Sequence, residues 1–81
     1  MHQFVTLHLD TGTDGIATLE MLGVTTLEYA ARRFADYLGL DTDTFSFFLI
    51  DRETQQPYAG ERLACEYDGI TFDLECMEKG G

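Results

Sequence analysis

Residues 23–39 read Gly-Val-Thr-Thr-Leu-Glu-Tyr-Ala-Ala-Arg-Arg-Phe-Ala-Asp-Tyr-Leu-Gly. Apolar side chains recur here at spacings of three and four residues, which places them on one stripe of a helix: Leu27, Ala30, Ala31, Phe34, Ala35 and Leu38. Thr25 can cap the first turn and Glu28 can complete a capping box. Gly39 supplies a left-handed stop. The stretch therefore predicts an amphipathic helix that lies on one face of a sheet.

Extended segments flank this helix on both sides. Residues 4–9 and 16–22 alternate apolar and polar side chains and are joined by a turn rich in Asp and Gly, which predicts a hairpin. Residues 45–50 and 70–76 alternate again after the helix. Residues 57–59 begin with proline, which has no amide for a ladder, so they form at most a short edge strand. The order predicts an α+β fold with a mixed four- to five-stranded sheet packed on one helix.

The composition indicates one acidic domain. In 81 residues, five Lys and Arg stand against fifteen Asp and Glu, for a net charge of −10. Nucleic acids and anionic membranes require a basic face, so neither is an expected partner. The charge either favours partners with basic docking surfaces or only keeps the protein in solution. No apolar run approaches the roughly 20 residues of a membrane span.

The candidate reactive side chains are few. Cys65 and Cys76 form no CxxC pair and no cluster with histidine, so no metal site and no cofactor are predicted. Without a signal peptide, a cytoplasmic location is expected, where free and buried thiols are favoured over the alternative of a Cys65–Cys76 disulfide. Ser46 is the only serine and no His or Cys stands near it in a nucleophile motif. The chain itself is therefore not expected to be an enzyme.

Four segments carry a resemblance to a known family. They are residues 3–7, 16–20 and 59–63, and the run from Thr71 to the closing Gly80-Gly81. Together with the element order, they resemble the ubiquitin family of β-grasp proteins along nearly the whole chain. The resemblance implies a β-grasp domain over residues 1–77 and a flexible diglycine tail over residues 78–81.

The resemblance also implies a chemistry for the tail. In such proteins an E1-like enzyme uses ATP to adenylate the terminal glycine, which passes to an enzyme thiol as a thioester and on to a target amine as an isopeptide. Gly81 would supply the reacting carbonyl. Gly80 has no side chain and so would allow the tail to enter a narrow enzyme channel. The implied partners are an E1-like activating enzyme, an E2-like enzyme, a deubiquitinase-like protease and a target protein.

The sequence departs from ubiquitin at the tail. Glu75 and Glu78 stand where arginines are expected, which implies a dedicated activating enzyme. Lys79 is the only lysine, which favours single attachment over lysine-linked chains. These features resemble the ubiquitin-like modifiers of bacterial operons, some of which act against phage. Two alternatives stay open: a sulfur carrier with a terminal thiocarboxylate, and a non-covalent β-grasp adaptor.

Partner docking in the family uses an apolar patch on the exposed sheet face. If Phe45, Phe47 and Leu49 face the helix, then Phe48 and Ile50 face outward as docking residues. The partner-binding set predicted from the sequence adds residues near the end of the last strand: Glu75, Met77 and Glu78. Alternatively, a loop residue such as Tyr58 or Tyr67 covers Phe48 and Ile50.

Overall fold

The computed structural model describes residues 3–79; Met1, His2, Gly80 and Gly81 lie outside the described residues. Within residues 3–79 there are four strands, one α-helix and two 3₁₀ turns, at Gly12–Asp14 and Ala64–Tyr67. The order is β1 (Phe4–Asp10), β2 (Ile16–Leu22), α1 (Leu27–Tyr37), β3 (Phe45–Ile50) and β4 (Thr71–Glu78). The predicted element order is confirmed.

The strands of this described region form one mixed sheet in the order β2-β1-β4-β3. β1 pairs antiparallel with β2 and β4 antiparallel with β3, while β1 and β4 run parallel in the centre. The helix carries the chain from one edge strand to the other, and β4 then fills the gap between them. The predicted fifth strand is reduced to a single bridge between Ile50 and Pro57, because proline cannot continue a ladder.

The core lies between α1 and one face of the sheet, here called the inner face. The helix contributes the predicted stripe, with Phe34 fully buried. The sheet contributes the alternate residues of each strand, including Leu7 and Leu9 of β1 and Phe72 of β4, all at or near zero exposure. Burying each such side chain stabilises the fold by about 1.5–3 kcal/mol. The opposite side of the sheet is called the outer face.

Hydrogen bonds from neighbouring residues satisfy backbone groups at both ends of α1. The N-cap is Thr26, not Thr25 as predicted: Thr26 is extended, and its Oγ1 accepts a hydrogen bond of 3.2 Å from the Tyr29 amide. Thr25 precedes the cap, and its carbonyl accepts a hydrogen bond of 2.8 Å from the Ala64 amide. At the other end Gly39 has φ +74°, and the following residue donates to the Ala35 carbonyl at 2.9 Å. This is the left-handed stop predicted from the sequence.

The last strand continues further than the sequence predicts. Glu78, which the sequence assigns to the tail, is the last residue of β4 and pairs with Phe45. Burial decreases along β4 from Phe72 to Glu78, so only the first half of the strand lies in the core. Cys76 pairs with Phe47 on the inner face but lies in the exposed half of β4. Cys65 is exposed as well. Both thiols are free, as predicted, but the prediction that they are buried is wrong.

Candidate functional site

The chain leaves the sheet at Lys79, which is held by two hydrogen bonds. Its backbone amide donates to the Thr44 carbonyl at 3.0 Å, and its Nζ donates to the Thr42 carbonyl at 3.0 Å. Lys79 is thus fixed against the connection between α1 and β3. The predicted conjugation residues Gly80 and Gly81 follow it directly in the sequence and lie outside the described residues, so their role stays a prediction.

The connection that holds Lys79 is itself ordered by Asp41. Its Oδ1 accepts hydrogen bonds from the Asp43 amide at 2.9 Å and from the Thr44 amide at 3.1 Å. Hydrogen bonding from Thr44, first through its side chain and then through its amide, together with the Asp43 amide, holds the pKa of Asp41 below its ordinary value, and the charge of Lys79 adds to this. The exit point of the chain is therefore supported by a turn that is most stable with Asp41 ionised.

Three of the predicted partner-binding residues meet on the outer face. Phe48 pairs with Glu75, and Ser46 pairs with Met77, which places all four side chains on that face because directly paired residues share a side. Met77 is 64% exposed, Glu75 is exposed and Phe48 is half-buried. We call Phe48, Glu75 and Met77 the outer patch. It lies two residues before the exit point at Lys79.

Two other predicted partner-binding residues do not belong to this patch. Glu78 pairs with Phe45 and therefore lies on the inner face. Ile50 is on the outer face as predicted but is only 3% exposed, so it is not available for docking. The sequence prediction for Ile50 is wrong because it did not account for the loop that follows β3.

That loop folds over the outer face and is held by polar contacts. Arg52 Nη2 lies 3.0 Å from Asp10 Oδ2, and Gln55 Nε2 donates to Asp73 Oδ2 at 3.0 Å. Asp73 is the residue directly opposite Ile50 in the β3–β4 pair. The loop therefore holds Arg52 and Gln55 on the outer face beside Asp73, next to the buried Ile50. Neither tyrosine proposed as a cover for Ile50 covers it: the rings of Tyr58 and Tyr67 pack edge-on against Phe72 in the core.

The turn inside this loop is local and strongly hydrogen-bonded. The side chain of Asp51 accepts from the Glu53 amide at 2.8 Å, and this hydrogen bond is the main cause that lowers the pKa of Asp51. Gln55 adopts φ +59° and its amide donates to the Asp51 carbonyl at 2.8 Å. An aspartate that opens a polar segment is a usable signal for such a turn. The contacts of the turn with Asp10 and Asp73 have no local signal, since the partners are distant in sequence.

Residues 3–79 contain neither a candidate metal site nor a helix that could cross a membrane. In that span no group of three or more His, Cys, Asp or Glu side chains is placed to hold a metal ion. The helix of the described region is also too short and too polar to cross a membrane.

No family model and no curated protein matches the sequence. Solved structures do match. A de novo designed protein based on ubiquitin superposes with a TM-score of 0.63 at 17% identity, covering 96% of this chain and 93% of that chain. The designed protein dRafX6 gives 0.61 at 15% identity, covering 89% and 95%. A computationally designed protein based on human erythrocytic ubiquitin, solved by NMR, gives 0.52 at 25% identity, covering 100% and 98%.

These similarities extend over nearly the full length of the chain and concern the path of the backbone. At such identities they establish the fold, which agrees with the mixed sheet and single helix described above. The chain has the ubiquitin-like β-grasp fold of the α+β class.

Proposed function

We propose that this chain is a cytoplasmic ubiquitin-like modifier, activated at the Gly81 carboxylate by an E1-like enzyme with ATP and joined to amines of target proteins. It would belong to a bacterial ubiquitination-like pathway with an E2-like enzyme and a deubiquitinase-like protease. The observation that carries the proposal is that Gly80-Gly81 stands one residue after the last strand of a ubiquitin-like fold, which ends at Glu78. The chain is the substrate in this scheme, and the enzymes supply the catalysis.

The arrangement around Lys79 supports a recognition step on the body of the protein. Two residues span at most about 7 Å when fully extended, so a Gly81 carboxylate stays close to the end of the sheet. An enzyme that acts on that carboxylate must then approach the end of β4. The outer patch lies there, with Met77 offering apolar area and Glu75 a negative charge. The expected enzyme surface is apolar with a basic group opposite Glu75.

The direct test is activation in solution. The protein is incubated with ATP and a candidate E1-like enzyme, and both pyrophosphate release and a thiol-sensitive enzyme adduct are measured. We expect both signals with the intact chain and neither when Gly81 is deleted. If the deletion supports activation as well as the intact chain does, or if no E1-like enzyme of the producing cells acts on the chain, the proposal is wrong.

A second measurement separates recognition from chemistry. Met77→Glu places a charge in the outer patch without touching the diglycine, and Ile16→Glu places the same charge on the exposed part of β2 as a matched control. The first substitution should raise the KM of the activating enzyme for the chain, and the second should not. Intact mass then distinguishes the alternatives, since a sulfur carrier exchanges one terminal oxygen for sulfur and an adaptor keeps its mass.

A further inference from the structure

β3 is an edge strand. Some of its backbone amides and carbonyls point toward β4, and the others point away from the sheet. The Thr44 carbonyl, just before β3, accepts from Lys79 on the β4 side. On the other side the Leu49 carbonyl accepts from the Tyr58 amide at 3.0 Å, and the Asp51 amide donates to the Gln56 carbonyl at 2.9 Å. Because this direction alternates along a strand, even-numbered residues of β3 face β4 and odd-numbered residues face away from it.

The first half of this edge is open. Phe45 and Phe47 are the remaining odd-numbered residues of β3, so their amides and carbonyls point away from β4. Among residues 3–79 no backbone group bonds to them from that side, since the bridging segment around Pro57 reaches only the end of β3. The open edge therefore presents up to four backbone hydrogen-bonding groups, which is the requirement for adding a further strand.

A groove of about 760 Å³ runs beside this open edge, between β3 and α1. The helix lines it with Tyr29, which is 56% exposed, and with Arg32. β3 lines it with Phe45 and Phe47, and Tyr58 lies at the end where the bridge begins. Aromatic walls with an open strand edge suit an extended peptide whose alternate side chains are apolar.

The charges of the groove differ at its two ends. Glu28 and Glu61 line the end near Tyr58, and within the described part of the chain neither forms an ion pair. The opposite end carries both signs, because Lys79 lies close to Asp41 there. Arg32 lies one helical turn after Glu28 and adds a single positive charge along the groove. The Glu28–Glu61 end is therefore where two charges of the same sign meet, and that end favours a positive charge.

We propose that the open edge of β3 binds an extended segment of a partner protein, antiparallel to β3, with a basic residue first and apolar residues at alternate positions after it. The antiparallel direction continues the line of the Gln56–Tyr58 segment, which already pairs with β3 in that sense. It places the first residue of the segment beside Glu28 and Glu61. A second copy of this chain is disfavoured as the occupant, because each copy carries a net charge of −10.

The site does not require the diglycine itself, although Phe48 of the outer patch and Lys79 at the exit point also line the groove. It uses the edge of β3 and the groove beside α1, whereas the proposed activation uses Gly81 and the outer patch. A chain lacking Gly81 should therefore bind the segment as well as the intact chain does.

The test uses a capped five-residue probe, acetyl-Arg-Val-Thr-Val-Thr-amide, titrated into the intact protein by NMR. We expect saturable shifts at the amides of Phe45 and Phe47 and at Tyr29. Two N-methylated forms of the probe examine the strand pairing, one methylated at both valines and the other at both threonines. Only one of them has its methyl groups facing β3, so one form should bind about tenfold more weakly and the other should bind like the parent.

Substitutions in the protein test the same site. Glu61→Gln should weaken the probe about threefold by removing one charge from the acidic end, while Glu53→Gln, in the loop on the outer face, should leave binding unchanged. Phe45→Pro removes an outward amide but no bond to β4 and should weaken binding more than Phe45→Ala, which keeps the amide. The proposal is overturned if no saturable binding occurs, if both methylated probes bind alike, if the shifts map to β2, or if the protein pairs with itself at this edge.

Discussion

Gly23 is the residue at which the packing leaves least room for a side chain. Its amide donates to the Gln3 carbonyl at 2.8 Å, and its carbonyl accepts from the Cys65 amide at 2.9 Å. A Cβ at this position would lie 2.9 Å from the Cβ of Cys65 and 3.3 Å from the Gln3 oxygen. The glycine is thus required for the close approach of the chain after β2 to the 3₁₀ turn at Ala64–Tyr67.

We expect Gly23→Ala to lower the free energy of unfolding by about 1–3 kcal/mol, because neither neighbour is the free end of a flexible side chain. Urea unfolding followed by circular dichroism measures the change. The matched background is Cys65→Gly, which removes the facing Cβ, so the same alanine should cost less there. Equal costs in both backgrounds would show that the contact with Cys65 is not the cause.

Ile50 shows what the alternation of side chains along a strand can and cannot predict. Strict alternation in β3 correctly places its side chain on the outer face, because the period of a strand is two. Beside it the following loop is held by contacts of Arg52 with Asp10 and of Gln55 with Asp73, which no alternation encodes. The outer patch is therefore smaller than the sequence predicts and lies nearer the exit of the chain.

The start of α1 gives a test at the level of one element. The structure assigns the N-cap to Thr26, whereas the sequence pattern predicts Thr25. Thr26→Ala should lower the free energy of unfolding by about 1 kcal/mol through loss of the hydrogen bond to the Tyr29 amide. Thr25→Ala is the matched control and should lower the free energy of unfolding markedly less. A larger loss for Thr25→Ala than for Thr26→Ala would show that Thr25 is the N-cap.

The 3₁₀ turn at Ala64–Tyr67 carries a pH-dependent contact. Glu66 Oε1 lies 2.8 Å from Arg62 Nη2, and its Oε2 accepts from the Leu63 amide at 3.2 Å. The hydrogen bond from Arg62 is the main cause that lowers the pKa of Glu66 in the folded state. A lowered folded pKa means that the contact stabilises the protein above the unfolded pKa of about 4 and is lost as the pH falls through the folded value.

Glu66→Gln removes the carboxylate charge and with it this pH-dependent contribution to stability. Near neutral pH the natural chain should be the more stable of the two, and the difference should shrink as the pH falls below about 4. Thermal unfolding of both chains across this range measures it. A difference that stays constant down to the lowest pH would show that the ionised carboxylate of Glu66 does not stabilise the turn.

The elements themselves were predictable because their signals are local. The apolar stripe of α1 and the alternation in β1, β2 and β3 each fit within a few residues, and Pro57 correctly limits the fifth strand. The end of β4 was not predictable, since Glu78 joins the strand through Phe45, far away in the sequence. The same holds for Lys79, whose contacts are with Thr42 and Thr44.

The net charge of −10 governs the behaviour of the molecule as a whole. Repulsive pairs outnumber attractive ones when fifteen acidic residues face five basic ones, so compaction is opposed by self-repulsion. Raising NaCl from low concentration to about 0.5 M should therefore raise the midpoint of urea unfolding, since screening shortens the range of charge interactions to a few ångströms. A double variant, Asp14→Asn with Glu20→Gln, should respond less to salt. Loss of stability with salt would contradict this account.

For the molecule as a whole, the fold could be predicted from the sequence. The candidate site could be predicted only in part. The β-grasp order follows from local periodicity and from the rules that connect strands and helices. The outer patch, the covered Ile50 and the open edge of β3 depend on which loops fold over which face. Those placements arise from long-range polar contacts, which leave no periodic trace in the sequence.

The most direct test of the central claim is a search for the conjugate. The sequence Lys79-Gly80-Gly81 means that trypsin, which cleaves after lysine, would leave a diglycine remnant on any target lysine joined to Gly81. The chain is expressed with an N-terminal tag in the cells that produce it, and tagged material is digested and analysed by mass spectrometry. We expect diglycine-modified target lysines with the intact chain and none when Gly81 is deleted. The same pattern from both chains, or tagged protein found only at its free mass, would contradict the proposal.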